Sequence, residues 1–256
     1  MTQHLLVTGA TSGIGHAIAL AAASAKMAIS FSGLESQCDE IVSEFQSAGA
    51  PYVAYYHADL SEGDMARDLV TRAHADYGSL DILVNNAGIQ HVDRIEDFPT
   101  QAWDKVIAVN LSSSFHTMAA ALPLMRDAGY GRIINIASVH GLVASVNKAA
   151  YVAAKHGLIG LTKTAALETA DVNITCNAIC PGWVRTPLVE AQITARAKSA
   201  NRTIEEEAHL LVSEKQPSGQ FVSPQDIAEM VLFLSSPAAN QVTGSHFVMD
   251  GGWTAQ

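Results

Sequence analysis

The first turn of the chain constrains its fold more than any other stretch. The apolar run His4–Thr8 predicts a β-strand, and an alanine-rich run extending to about Ala25 predicts a helix. Between them stand Gly9, Gly13 and Gly15. Glycines at a strand-to-helix turn let the backbone approach a ligand closely, and the helix N-terminus offers unpaired N–H groups and a positive dipole end. The turn therefore predicts a pyrophosphate site in an α/β sheet, and a ligand-free tight turn is the alternative.

Strands and helices alternate along the rest of the chain. We predict helices from about Ser61 to Tyr77, after Pro99, around Tyr151 and over Pro224–Leu234. This order favours an α/β fold, a single Rossmann-type domain over residues 1–256 with a doubly wound parallel sheet. The further strands are predicted at Met27–Phe31, Pro51–Tyr56, Asp81–Asn85, Arg132–Ala137, Val172–Ile179 and His246–Met249.

Residues 188–216 interrupt this alternation with a long, polar stretch of helical composition. Because it follows a strand at the carboxyl edge of the sheet, it could fold over the ligand as a mobile lid. A solvated pair of surface helices is the alternative.

The overall composition and net charge favour some classes of function and argue against others. Of 256 residues, 48% are hydrophobic, enough for a sizeable core, and the net charge of −10 argues against nucleic-acid binding through a basic surface. Cys38, Cys176 and Cys180 lack a C-x-x-C pair and predict buried free thiols, which suits a reducing compartment. No apolar run reaches the roughly 18 to 20 residues of a membrane span. We expect a soluble, cytoplasmic protein without a signal peptide, a membrane partner or a metal site.

The stretch after the second strand bears on the choice of dinucleotide. The residue ending this strand often meets the adenosine ribose, where an acid favours NAD and an Arg accommodates the 2′-phosphate of NADP. Neither Ser32–Gln37 nor the glycine turn contains Lys or Arg, so NAD is favoured. The usual acid is also missing at the strand end, unless Glu35 serves. Asp59, after the third strand, could bind the adenine amino group or could cap the following helix.

A second group of side chains predicts proton transfer. Tyr151 and Lys155 are four residues apart, so they lie about one helical turn apart on the same face. A free phenol has a pKa of about 10, and a neighbouring cation lowers it. We interpret Tyr151 as the acid or base, Lys155 as the group that tunes it and Ser138, after the fifth strand, as a donor to the substrate oxygen. A chance surface pair is the alternative. Asn110 lies in a mostly apolar helical stretch, where a core amide bonded to backbone is its ordinary explanation.

Together these residues resemble the short-chain dehydrogenase/reductase family over the whole chain. The resemblance rests on Thr8–Gly15, Asp59-Leu60, Asn85-Asn-Ala-Gly88, Tyr151-x-x-x-Lys155 and Pro181-Gly182. It implies a catalytic set of Asn110, Ser138, Tyr151 and Lys155, and usually a homotetramer. The cofactor contacts that it implies are Gly9, Thr11, Ser12, Gly13, Ile14, Gly15, Leu34, Asp59, Leu60, Asn86, Ala87, Gly88, Tyr151, Lys155, Pro181, Gly182, Val184 and Thr186.

A closer resemblance is to members of this family that oxidise (R)-3-hydroxybutyrate to acetoacetate. It rests on the stretches 85–91, 138–148 and 180–190. It implies a substrate pocket in which Gln, His and Lys donate hydrogen bonds to the carboxylate and a Trp forms a wall. The chain departs from the pattern at Leu34, where an aromatic contact to the adenosine is usual, and at Lys26, where a glycine often ends the first helix. The implied substrate contacts are Gln90, Ser138, His140, Lys148, Tyr151, Trp183 and Gln192.

Two other functions remain open. A reductase of 3-oxoacyl thioesters would share the catalytic set but needs a site open to a long carrier arm and usually uses NADP. A dinucleotide-sensing regulator would keep the fold without turnover, and it need not retain Ser138, Tyr151 and Lys155 together.

Overall fold

The computed structural model describes residues 2–255, and within them seven parallel strands form one sheet. Their order is β3-β2-β1-β4-β5-β6-β7. From β1 the chain adds β2 and β3 on one side and then β4 to β7 on the other, so the strand order switches between β1 and β4. Ligands bind at such a switch point, outside the carboxyl ends of the strands. The strands are β1 (His4–Val7), β2 (Ala28–Gly33), β3 (Val53–His57), β4 (Ile82–Asn85), β5 (Gly131–Ile136), β6 (Ile174–Pro181) and β7 (His246–Met249).

Helices cover both faces of this sheet. On one face α1 packs against α2 and α9, and on the other α3 packs against α5. The predicted doubly wound parallel sheet is therefore confirmed. The helices are α1 (Gly13–Ser24), α2 (Asp39–Ala48), α3 (Gly63–Tyr77), α4 (Thr100–Ile107), α5 (Ser113–Ala128), α6 (Ala149–Glu168), α7 (Pro187–Ala200), α8 (Ile204–Ser213) and α9 (Pro224–Ser235).

The strands are apolar because both faces are buried. In β1, Leu5 and Val7 belong to the core under α1 and α9, whereas Leu6 belongs to the core on the opposite face. All three side chains are fully buried. Such two-sided burial explains why parallel strands are continuous apolar runs rather than alternating ones.

Several element boundaries differ from the sequence-based expectation. Strand β2 continues to Gly33, two residues beyond the predicted end, because it pairs with β3 up to His57. Helix α2 is not among the predicted helices. Helix α3 begins at Gly63 rather than near Ser61, and it ends as predicted before Gly78, whose φ is 91°. Lys26 follows the C-cap residue of α1 and has a φ of 64°, so a lysine here adopts the left-handed conformation that glycine favours.

The helix pair α7–α8 fills the stretch predicted to be helical. Glu207 of α8 is buried and accepts hydrogen bonds from Arg196 of α7 at 2.6 Å and from Arg202 at 3.0 Å. Arg185, in the loop after β6, donates to Glu190 at 2.9 Å and to Glu205 at 2.7 Å. These ion pairs join the two helices to each other and to the loop after β6.

Two predictions from composition can be compared with the structure. Cys38, Cys176 and Cys180 are buried and free, as predicted. Among residues 2–255, no helix is both long enough and apolar enough to cross a membrane.

Candidate active site

The glycine turn is held against the turn that follows β4. The side-chain amide of Asn86 donates to the carbonyls of Thr8 at 2.9 Å and Gly9 at 2.8 Å. The hydroxyl of Thr8 accepts the backbone N–H groups of Asn86 and Ala87. A Cβ at Gly9 would come within 2.9 Å of Ala87 Cα, and one at Gly15 would overlap the Asn86 amide. The glycines are therefore required because two backbone turns pack directly on each other.

A cleft of about 400 Å³ runs along this carboxyl edge of the sheet. Every predicted cofactor residue lines it except Gly15, which lies beneath Asn86. Helix α1 begins at the cleft, its N-cap Ser12 makes no side-chain capping bond, and its first turn contains no acid. The positive end of the helix is thus available to an anion. This chemistry fits the pyrophosphate of a dinucleotide.

Charged side chains predominate at the far end of the cleft. It is lined by Leu34, which is 66% exposed, and by Glu35, Asp59 and Lys105. Asp59 Oδ1 accepts both the backbone N–H and the hydroxyl of Ser61, and these bonds lower the pKa of its carboxyl group. Asp59 therefore organises the turn before α3, close to the capping role considered as the alternative. Lys105 is a cation that the sequence patterns do not reveal, because only the fold brings α4 to this edge.

The other end of the cleft brings Ser138, Tyr151 and Lys155 together. Ser138 follows β5, and the other two residues lie one turn apart on α6. Lys155 is buried, its ammonium donates to the carbonyl of Ile136 at 2.8 Å, and it stands 5.6 Å from the centre of the Tyr151 ring. A hydroxyl, a phenol and an ammonium group thus meet at one point of the cleft.

The expected effect of Lys155 on Tyr151 needs a correction. Burial raises the pKa of Tyr151, and the hydrogen bond with Ser138 is the interaction that lowers it. Burial also lowers the pKa of Lys155 to about 8. Desolvation of the charged form is the largest cause of the shift for both groups. The phenol is consequently protonated at neutral pH.

Asn110 does not line the cleft. It lies in a π-helical turn, Ala108–Ser112, between α4 and α5, and its side chain is buried. The amide oxygen accepts the N–H of Ile89 at 2.8 Å, and the amide nitrogen donates to the carbonyl of the same residue at 2.8 Å. The side chain therefore fixes the loop that carries Gln90, in agreement with the core-amide alternative.

Of the predicted substrate residues, Ser138 and Tyr151 line the cleft, whereas the other five lie outside its lining and are joined by separate contacts. Gln192 of α7 donates to Gln90 Oε1 at 2.9 Å, across more than a hundred residues of chain. The Lys148 ammonium lies 4.6 Å from the centre of the Trp183 ring. The His140 ring packs edge-on against Tyr151, with centroids 5.9 Å apart. The donors Gln90 Nε2 and Trp183 Nε1 are buried and have no hydrogen-bond acceptor within residues 2–255.

Burial also controls the charges of this group. It lowers the pKa of His140 to about 4, with a smaller contribution from Lys148, so the imidazole is neutral at pH 7. The ring nitrogens lie 3.5 Å from the hydroxyl of Ser138 and 2.9 Å from that of Ser145. Burial, together with Arg196, lowers the pKa of Lys148 to about 8. One neutral imidazole and one cation therefore stand beside several amide donors.

Three residues at this end are absent from the sequence-based set. Trp253 packs edge-on against His140 at 5.4 Å and lies 5.9 Å from Trp183, and Arg196 approaches Lys148 from α7. Gln216 is buried and accepts the N–H of Trp183. No local spacing identifies these contacts. Asp250-Gly-Gly-Trp253 directly after the last strand is the one signal that could have pointed to Trp253.

The fold and the cleft define a class of protein: an oxidoreductase with a nicotinamide-dinucleotide site and a tyrosine–lysine pair. A family model described as enoyl-(acyl carrier protein) reductase matches residues 9–254. The chain belongs to the short-chain dehydrogenase/reductase family.

Two relatives of this chain share one name, and one solved structure is similar to it along its whole length. The chain is 54% identical over 252 residues to D-beta-hydroxybutyrate dehydrogenase of Cupriavidus necator, covering 98% of this chain and 97% of that protein. It is 48% identical over 258 residues to D-beta-hydroxybutyrate dehydrogenase of Rhizobium meliloti, covering 100% of both. A crystal structure of an actinorhodin polyketide ketoreductase variant with NADPH superposes with a TM-score of 0.93 at 32% identity, covering 100% of this chain and 98% of that one.

Proposed function

We propose that this enzyme oxidises (R)-3-hydroxybutyrate to acetoacetate, reversibly, with NAD as cofactor. The observation that carries the proposal is the pair of buried donors without acceptors among residues 2–255, Gln90 Nε2 and Trp183 Nε1. A buried donor without a partner is costly, and a carboxylate supplies up to four acceptor sites. The names of the relatives from Cupriavidus necator and Rhizobium meliloti support the same substrate.

Each side chain has a role in this proposal. Gln90, His140, Lys148 and Gln192 hold the carboxylate, and Trp183 closes the pocket around the methyl group. Ser138 donates to the oxygen on C3, and Tyr151 takes the proton of that hydroxyl during oxidation. Lys155 would bind the nicotinamide ribose. Asn110 acts by positioning the loop before Gln90. We also predict that it holds a water through which the released proton leaves.

The cofactor contacts follow the cleft. Gly9–Gly15 and the N-terminus of α1 would hold the pyrophosphate, Asp59 the adenine, and Pro181, Gly182, Val184 and Thr186 the nicotinamide. A nicotinamide held there would supply the acceptor for the hydride that leaves C3 of the alcohol. Burial raises the pKa of Tyr151 and so favours the phenol, the form that acts as an acid in the reduction of acetoacetate. Oxidation needs the phenolate and is favoured as pH rises.

We further propose one catalytic domain over residues 1–256, a cytoplasmic location and a homotetramer, the last on family resemblance. The α7–α8 pair is proposed to act as a lid over the substrate. The bond between Gln192 and Gln90 supports this, because it joins the lid to the loop after β4.

A 3-oxoacyl thioester reductase is the second candidate. It is favoured by the wording of the family description, which concerns acyl carrier protein substrates. A thioester, however, presents a neutral carbonyl where these donors and Lys148 suit a free carboxylate. A regulator without turnover is disfavoured because Ser138, Tyr151 and Lys155 lie together.

Steady-state assays with both 3-hydroxybutyrate enantiomers, each with NAD and NADP, test the proposal. We expect activity with the R enantiomer and NAD, and a preference for acetoacetate over acetoacetyl-CoA in reverse. Activity with the S enantiomer alone, or with NADP alone, would contradict the specific assignment. Absence of any NADH formation would favour the regulator.

A further inference from the structure

The side chain of Gln216 lies where separate segments of the chain meet. Gln216 comes shortly after the end of α8, and it is fully buried. Its amide oxygen accepts the backbone N–H of Trp183, in the loop after β6, and its amide nitrogen donates to the carbonyl of Gln220 at 2.6 Å. One buried amide therefore joins the loop after β6 to the turn after α8.

Two glycines pack against this amide. A Cβ at Gly182 would overlap Gln216 Oε1 and come within 3.0 Å of Asp250 Cα. A Cβ at Gly251 would come within 3.4 Å of Gln216 Nε2, and the φ of 58° at Gly251 already favours glycine. The Gln216 side chain thus fills the space between the loop after β6 and the turn after β7.

Trp183 depends on this amide more than its neighbour does. The Trp183 N–H donates to Gln216, its carbonyl accepts the N–H of Val222 at 2.8 Å, and its ring packs against the apolar core between α7 and α8. The N–H of Gly182 is held separately, because it donates to the carbonyl of Met249 at 2.9 Å. Loss of the Gln216 amide would therefore release Trp183 while Gly182, which lines the cleft, keeps its own bond.

We infer that Gln216 is a positioning residue for the substrate, because it holds Trp183 in place and joins that residue to the end of α8. The inference rests on the proposed function in taking Trp183 as part of the substrate pocket. An amide suits this place, since the Trp183 N–H needs an acceptor and the Gln220 carbonyl needs a donor. Removing it leaves two buried backbone groups without these partners, which costs more than a hydrogen bond contributes net.

Gln216→Met tests the inference, because it removes both hydrogen bonds and keeps a side chain of similar length. We expect KM for (R)-3-hydroxybutyrate to rise by about fivefold or more, as for a binding group whose buried partner is lost. The value of kcat should stay within about twofold, because a loss of uniform binding raises KM alone. Kd for NADH, measured by calorimetry, should change little because Gly182 keeps its bond to Met249.

The tryptophans provide a second readout that needs no substrate. The ring centroids of Trp183 and Trp253 are 5.9 Å apart with planes at 31°, and the chain contains one other tryptophan, Trp103 on α4. Two indoles this close give exciton-coupled bands in the circular dichroism of the unliganded protein. These bands should weaken in Gln216→Met because Trp183 is no longer held beside Trp253. A loss of stability alone would leave them unchanged below the unfolding transition.

Asn177→Leu is the matched control. Asn177 is a buried amide on β6 that also joins two backbone groups. Its nitrogen donates to the carbonyl of Val242 at 2.7 Å, and its oxygen accepts the N–H of Ser245 at 3.2 Å. Because these bonds lie outside the loop after β6, the variant should lose stability while KM and the coupled bands stay within about twofold of wild type.

Two further substitutions of Gln216 complete the test. Gln216→Glu should keep KM and the coupled bands near the wild-type values, because burial favours the neutral acid, which can accept from Trp183 and donate to Gln220 as the amide does. Gln216→Asn retains the amide but shortens its reach, so it should reproduce the effects of Gln216→Met. It takes the place of Gln216→Met if that variant is insoluble.

The outcomes separate this inference from the proposed function. With wild type active, an unchanged KM or unchanged bands in Gln216→Met, or an equal rise of KM in Asn177→Leu, would overturn the role of Gln216. If wild type does not turn over (R)-3-hydroxybutyrate, the proposed substrate is refuted, and the coupled bands alone decide whether Gln216 holds Trp183.

Discussion

The two ends of the cleft are built by opposite means. The nucleotide end is made of backbone and small residues on turns that directly follow strands, as at Gly9, Gly15 and Asn86. The proposed substrate end, next to the cleft lining, is made of long side chains from separate segments, as in the bond between Gln90 and Gln192. The first is therefore sensitive to any added atom, whereas the second is sensitive to lost donors and to charge. This contrast yields predictions of different size at each end.

The largest effect is expected where the two ends meet. Tyr151→Phe removes the proposed acid–base group, and general acid–base catalysis contributes about 10²- to 10⁴-fold. We expect kcat to fall by that range. Binding of NADH, measured by calorimetry, should change little because the ring and Lys155 are retained. Near-normal turnover would contradict the role of Tyr151.

Gly15→Ala tests the nucleotide end and should have the next largest effect. The added Cβ would overlap the Asn86 amide and the Gly9 carbonyl, so the two turns must separate. Overpacking of this kind costs about 1–3 kcal/mol, which corresponds to about 5- to 150-fold weaker NADH binding if the cost falls on the cleft. Titration of the purified variant with NADH measures it.

Gly160→Ala is the control for that substitution. Gly160 lies within α6, and a Cβ there meets nothing within 4 Å. Because alanine favours helix more than glycine, this variant should be stabilised by about 0.4–1 kcal/mol with unchanged NADH binding. Equal NADH affinity in both variants would show that the contact between the turns does not shape the nucleotide site.

The same contrast explains what could be predicted from the sequence. Gly9 and Asn86 each follow an apolar strand, and parallel strands end at one edge, so their meeting follows from the predicted parallel sheet, and the family resemblance assigned both to the cofactor. Trp253 and Arg196 meet His140 and Lys148 only through long-range packing, which no spacing encodes. The pKa of Tyr151 was predicted with the wrong sign because the Tyr–Lys spacing shows proximity but not the burial that dominates.

The smallest expected effect is electrostatic and belongs to the substrate end. In the unliganded protein, burial lowers the pKa of Lys148 to about 8, so its ammonium is less stable than that of an exposed lysine and titrates just above neutral pH. A carboxylate binds better to the protonated form, and binding therefore raises this pKa. Affinity for the carboxylate is full well below pH 8 and is lost as pH rises through it. The protonated fraction falls about fourfold between pH 7 and 8.5 for a pKa of 8.

Butyrate gives a readout of this titration without chemistry, since it has the carboxylate but lacks the 3-hydroxyl. Its inhibition constant against hydroxybutyrate should rise about fourfold between pH 7 and 8.5. His140 stays neutral in this range because its pKa is about 4, whereas Lys155 also has a pKa of about 8. Lys148→Arg separates the two lysines, because guanidinium stays charged throughout and should make the inhibition constant independent of pH. A slope that persists in Lys148→Arg would assign the titration to Lys155, and the carboxylate would then be held by amide donors rather than by charge.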